Sequence, residues 1–278
     1  MKKILVSVDF SKCSENALEV AAHLSKKTDA DLILLHMLGL SKATFVKDEA
    51  QELMEAEYYM ELARGRFNDF LDKPSLKGVK VFGIIQNYKD FNELNNVVKE
   101  HGVDLVVMGS HGATGISGLF IGSNTEKVVR NCGVPVLVVK RKRADFDIKR
   151  AVFASDFGVE HKEVYNKVLE FFNIFNVEVY KVYVNRPNQY FKSTDEIKAR
   201  IDLFMGVVHH GKIPAKEDVT ILNDYNIEQG VYNYAKMINA DIIALPTHGR
   251  KGLAHFFKGS VGEDIANRVD LPVVTFRV

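Results

Sequence analysis

Cysteine is scarce in this chain. Cys13 and Cys132 are the only two, far apart and without a Cys-x-x-Cys or Cys/His neighbourhood, which argues against a disulfide framework or a structural zinc site and fits a reducing compartment. An excess of either charge is missing too: 37 Lys and Arg face 36 Asp and Glu, a formal net charge of +1. No global field therefore draws the chain to nucleic acid or to an anionic membrane. Long apolar runs are also absent. The N-terminus offers only Ile4 to Val8 before Asp9, far short of the ~20 residues that span a bilayer. These absences lead to the expectation of a cytoplasmic protein with no nucleic-acid partner and no membrane contact.

What is present is ordinary globular material, 46% hydrophobic and 26% charged, unlike the low-apolar, high-charge composition of disorder. At 278 residues the chain exceeds the ~100–200 of one domain. An internal repeat explains the length. Asp104-Leu-Val-Val-Met-Gly-Ser-His-Gly112 is echoed by Asp241-Ile-Ile-Ala-Leu-Pro-Thr-His-Gly249, an offset of 137 that also carries Gly122-Ser123 to Gly259-Ser260 and Pro135-Val136 to Pro272-Val273. Near each start, Ile4-Leu-Val-Ser-Val-Asp9-Phe10 is echoed by Ala151-Val-Phe-Ala-Ser-Asp156-Phe157 at an offset of 147, so the second copy is ten residues shorter in its middle. The charged run from Lys140 to Asp147 reads as a solvated linker, which places domains at 1–143 and 148–278.

Within each copy, short aliphatic runs alternate with longer amphipathic segments, the pattern of βαβ units and a parallel sheet. In the first copy strands are expected near Lys3–Asp9, Asp31–Met37, Val79–Ile85, Asp104–Gly109 and Val134–Lys140, with helices over Ser14–Thr28, Glu49–Leu71, Phe91–His101 and Ser123–Asn131 and with Ser14 and Ser123 as N-caps. The aromatic pairs Tyr58-Tyr59 and Phe171-Phe172 read as core or domain-interface residues.

Ligands of open parallel sheets bind at the carboxyl ends of strands, where the strand order reverses. There, after the fourth strand, Gly109-Ser-His-Gly112 is followed nine residues later by Gly122-Ser123 opening a helix. Glycines let backbone approach a phosphate, and free N–H groups at a helix start supply donors and a positive dipole end. This spacing resembles that of the universal stress protein family in its tandem form: Gly109, Gly112, Gly122 and Ser123 match the family motif, while in the second copy Gly249, Gly259 and Ser260 match and Pro246 stands where the first glycine belongs.

The resemblance implies an α/β fold of two tandem doubly wound domains, each a five-stranded parallel sheet with helices on both faces, paired as an intramolecular pseudo-dimer. It also implies a regulatory role in stress survival through a bound adenine nucleotide, ATP or else AMP or ADP, with Mg or Mn accompanying it. Slow ATP hydrolysis is admitted but not required, and no structural metal or dedicated catalytic group is expected. The nucleotide-binding residues it points to are Asp9, Met37, Gly109, His111, Gly112, Gly122, Ser123 and Asn124. The second copy offers a weaker candidate site at Asp156, Val182, His248, Gly249, Gly259 and Ser260. An unidentified protein partner and a homodimer of tandem chains are further expectations, and a nucleotide-free scaffold acting through protein contacts is the alternative.

Plainer roles stand beside these. Ser123 and Ser260 each open a capping box, with Glu126 and Glu263 three residues on. Asp9 and Asp156 sit where a carboxylate often caps a turn. His111 and His248 suit loop ordering better than general-base catalysis, since no partner carboxylate is identifiable, and His209-His210 reads as a solvated loop rather than a metal half-site. A dinucleotide-binding dehydrogenase would carry G-x-G-x-x-G after the first strand, where this chain has Asp9-Phe-Ser-Lys-Cys. A Walker A lysine and the Ser-Gly-Gly-x-Asp-Ser loop of the ATP pyrophosphatases are absent as well.

Overall fold

The computed structural model describes residues 1–39, 49–88, 93–110, 123–142, 146–211, 218–247 and 271–278. His111, Gly112, Gly122, His248, Gly249, Gly259 and Ser260 lie outside the described residues. The described residues fall into two compact units, one within 1–146 and the other within 147–278.

The first unit holds β1 (Lys3–Ser7), α1 (Lys12–Thr28), β2 (Asp31–Gly39), α2 (Glu49–Leu71), β3 (Val81–Tyr88), α3 (Leu94–His101), β4 (Leu105–Gly109), α4 (Ser123–Asn131) and β5 (Val136–Val139). Its strands are ordered β3-β2-β1-β4-β5 and pair in parallel throughout. Ile4, Leu5 and Val6 of β1 and Leu105, Val106 and Val107 of β4 are consecutive and all 0% exposed. Consecutive buried positions point alternately to opposite faces, so these central strands are covered on both.

The second unit repeats the plan with β6 (Arg150–Ala154), α5 (Lys162–Asn173), β7 (Glu178–Asn185), α6 (Thr194–Val208), β8 (Val219–Asn223), α7 (Ile227–Met237), β9 (Ile242–Thr247) and β10 (Val273–Arg277). The strand order is β8-β7-β6-β9-β10, again parallel. Asp104 and Asp241 explain why the repeat is sharp at the start of the fourth strand: Asp104 Oδ2 accepts from the backbone N–H of Lys2 and Lys3, and Asp241 Oδ2 from those of Lys149 and Arg150. Each carboxylate thereby ties the start of the fourth strand to the start of the first.

Several local expectations need correction. Helix α1 is capped by Ser11, whose side chain accepts from Ser14 N, while the Ser14 hydroxyl donates to Ser11 O at 3.0 Å. Ser14 is therefore a buried residue of the first turn, because the helix starts one position after Ser11. Tyr58 and Tyr59 are 65% and 49% exposed on α2, whose inward face is Ala63, Phe67 and Phe70. Phe171 and Phe172 are buried and pack edge to face. Phe146, inside the charged run read as solvated, is buried as well. Among the described residues no helix is long and apolar enough to cross a membrane.

Candidate functional site

The reversal of strand order in the first unit lies between β1 and β4, and their carboxyl ends set the site. Asp9 follows β1, and its Oδ1 accepts from Ser11 N at 3.1 Å, closing a short turn into α1. The turn puts Phe10 at φ 63°, the left-handed region that a bulky residue seldom occupies. Packing holds it there: the Phe10 ring lies 4.3 Å from His36 and meets Phe70 edge-on at 5.3 Å. His36 Nδ1 donates to Val8 O at 2.8 Å, the only sense a carbonyl partner allows. Burial pushes the His36 pKa down, against the pull of the Val8 carbonyl and of Asp9, which favours the neutral ring. No sequence signal singled out His36; its place beside Asp9 follows from strand register alone.

Ser7 pairs with Leu35, and Val8 N donates to Leu35 O. Two residues further on, Met37 stands level with Asp9 on the neighbouring strand and is 8% exposed. On the other side of β1, Gly109 ends β4. A Cβ there would lie 2.8 Å from the carbonyl carbon and from the Cβ of Cys13, so the first glycine of the motif is required by the close seat of α1 on β4, whatever ligand is bound. The Gly109 carbonyl in turn accepts from the buried Thr125 hydroxyl at 2.9 Å, which fixes the first turn of α4 against the strand end. Ser123 and Asn124 are exposed at the start of that helix. Glu126, the acidic member of the capping box, forms an ion pair with Arg130 one turn on.

In the second unit the same turn recurs: Asp156 Oδ1 accepts from Gly158 N at 3.2 Å and Phe157 sits at φ 52°. Its surroundings differ. His161 Nδ1 lies 3.0 Å from both Asp156 Oδ1 and Ser155 Oγ, and Arg200 Nη2 donates to Asp156 Oδ2 at 2.9 Å while its Nε donates to the Asp156 carbonyl. Desolvation works against the Asp156 charge, but His161, the Gly158 N–H and Arg200 outweigh it and hold the carboxyl well below the ordinary range. Asp156, Glu160 and His161 bring their ligand atoms within 4.8 Å of one another. That spacing would suit a metal ion, yet the Arg200 guanidinium already lies on Asp156.

Val182 is not the counterpart of Met37. It pairs with Ala154, below the level of Asp156, and Ser155 N donates to its carbonyl as Val8 N does to that of Leu35. The residue in Met37's place is Val184, because the offset of 147 holds through the second strand. Pro246 also has a visible effect. The β1–β4 ladder reaches Ser7↔Met108, whereas the β6–β9 ladder stops at Phe153↔Ala244, one step earlier; the missing step falls at Leu245, which adjoins Pro246 and its lack of an N–H to donate.

Comparison with known proteins accords with this geometry. The model of the Universal stress protein family matches residues 1–140 and, a second time, 147–277. Universal stress protein YxiE of Bacillus subtilis (strain 168) is 31% identical over 146 residues, covering 50% of this chain and 98% of the relative. Universal stress protein MJ0577 of Methanocaldococcus jannaschii is 32% identical over 161 residues, covering 51% and 97%. Among solved structures, a universal stress protein from Archaeoglobus fulgidus DSM 4304 covers 99% of this chain and 96% of its own, with a TM-score of 0.63 at 19% identity.

Proposed function

The chain belongs to the universal stress protein family and carries the family domain twice, and on that premise we propose that its first half binds an adenine nucleotide as a regulatory module of the stress response. The observation that carries this reading is the meeting of Asp9, Met37 and Gly109 at the carboxyl ends of β1, β2 and β4, where the strand order reverses. Asp9 would accept from a ribose hydroxyl or the adenine amine, and the Met37 backbone would meet the base. The run from Gly112 to Gly122 would present N–H groups to the phosphates, with Ser123 and the positive end of α4 beside them.

ATP is the first candidate, and AMP or ADP would use the same nucleoside contacts. Mg or Mn would accompany the phosphates of ATP. Binding alone serves a regulatory module, so slow hydrolysis is not required. Mass spectrometry of nucleotide released from the purified, denatured protein, followed by titration with the nucleotide found, tests the reading. An adenine nucleotide near stoichiometric amounts supports it. No released nucleotide and no saturable ATP binding would leave the protein as a scaffold that works through protein contacts.

A further inference from the structure

Asp9 is placed by its two neighbours in the chain, and one side chain from the adjacent strand holds both of them. His36 Nδ1 donates to the carbonyl of Val8 at 2.8 Å, and its ring lies 4.3 Å from that of Phe10, tilted by 37°. The next residue after His36 is Met37. Asp9 after β1 and Met37 on β2, the two residues read as nucleoside contacts, are thus tied together by a single imidazole.

The register shows why a side chain is used there. Backbone pairing of the two strands ends with Ser7 opposite Leu35 and with Val8 N donating to Leu35 O. Beyond Val8 the chain turns into α1, and the Asp9 carboxylate closes that turn on Ser11 N. The Val8 carbonyl accepts from the imidazole; in a residue only 2% exposed, a carbonyl left without a donor would be costly. Phe10 needs a hold of its own, because its φ of 63° is one that a bulky residue keeps only where its surroundings impose it. The His36 ring supplies one wall and Phe70, edge-on at 5.3 Å, supplies another.

We propose that His36 is the positioning residue of the adenosine end of the site: from its place next to Met37 it fixes both neighbours of Asp9, and so sets the spacing between the carboxylate and the strand edge that a nucleoside would bridge. This rests on the nucleotide reading above. His36 need not touch the ligand, since it acts through Val8 and Phe10. The role requires a proton on Nδ1, because a carbonyl can only accept. Burial favours the neutral ring, while the charges of Asp9 and Arg66 act on it with opposite signs, so the neutral form with its proton on Nδ1 is the one expected.

Two measurements test this. Histidine nitrogen spectra of the nucleotide-free chain read which ring nitrogen of His36 carries the proton. A neutral ring protonated on Nδ1 is expected near neutral pH, and a proton on Nε2 alone would overturn the anchor to Val8. Calorimetric titration of ATP then compares the wild type with His36→Asn, which keeps a donor nitrogen as many bonds from the backbone as Nδ1, and with His36→Leu, which fills similar space without a donor. The Asn variant should bind within about threefold of the wild type and the Leu variant about tenfold more weakly or worse. Asn is the poorer strand residue and leaves more of the wall beside Phe10 empty, so a merely structural role would weaken the Asn variant at least as much as the Leu variant, and that result would overturn the proposal. A wild type that binds no ATP would overturn the nucleotide reading and this proposal with it, whereas equal binding by the wild type and His36→Leu would overturn this proposal alone.

Discussion

Gly109→Ala separates packing from ligand binding at the first glycine of the motif. The added methyl would sit 2.8 Å from both the carbonyl carbon and the Cβ of Cys13 and 3.0 Å from the Cys13 oxygen. Two of those atoms are backbone in the first turn of α1, so relief requires the helix to shift rather than a side chain to rotate. Overpacking of this kind costs about 1–3 kcal/mol, and for a chain of this size each kcal/mol lowers the Tm by about 2–4 °C. A fall of roughly 4–8 °C is expected for a cost near the middle of that range. Gly133→Ala is the control, because nothing lies within 4 Å of a Cβ there, and a change within about 0.5 kcal/mol is expected. Thermal melts followed by circular dichroism, on protein stripped of nucleotide, measure both. If Gly109→Ala melts with the wild type and the control, the seat of α1 on β4 is not what requires glycine.

Thr125→Val should remove the donor to the Gly109 carbonyl, with a loss of about 1 kcal/mol in chemical denaturation; unchanged stability would mean that the hydroxyl does not anchor α4. Hydrogen bonds from Lys12 and Lys73 pull the Glu15 carboxyl down to about 2 from 4.5. A lowered native pKa means that the unfolded state takes the proton first, so this stabilisation is present above the unfolded value and is lost as pH falls through the window between them. Glu15→Gln should therefore lose less stability than the wild type across that acid range, and parallel pH profiles would contradict the assignment. Gly122→Val should weaken ATP binding while leaving the far-ultraviolet spectrum unchanged, since a β-branched side chain would intrude where the motif brings backbone to phosphate; unaltered affinity would remove that glycine from the site.

The strands were legible because β1 and β4 are unbroken aliphatic runs, and such runs in a chain of alternating long amphipathic segments have few other uses. Helix α2 was readable over its full span from its own periodicity. Side-chain capping was harder: Ser11 and Ser14 are both good N-cap residues, and only the φ/ψ of the turn decides between them. Val182 was misplaced for a related reason, since an apolar run does not show where its ladder ends. Neither His36 nor Thr125 carries a motif, and each joins the site through register and burial.

The central claim is that Asp9 stands in an adenine-nucleotide site, and calorimetric titration of ATP into the wild type and Asp9→Ala tests it most directly. The wild type should bind saturably. The variant should bind roughly 10- to 150-fold more weakly, the equivalent of losing a charged hydrogen bond of about 1.5–3 kcal/mol, and should stay folded while melting somewhat below the wild type, because Ser11 N loses its acceptor as well. Equal affinities for the two proteins would contradict the account, as would a wild type that takes up no ATP at all.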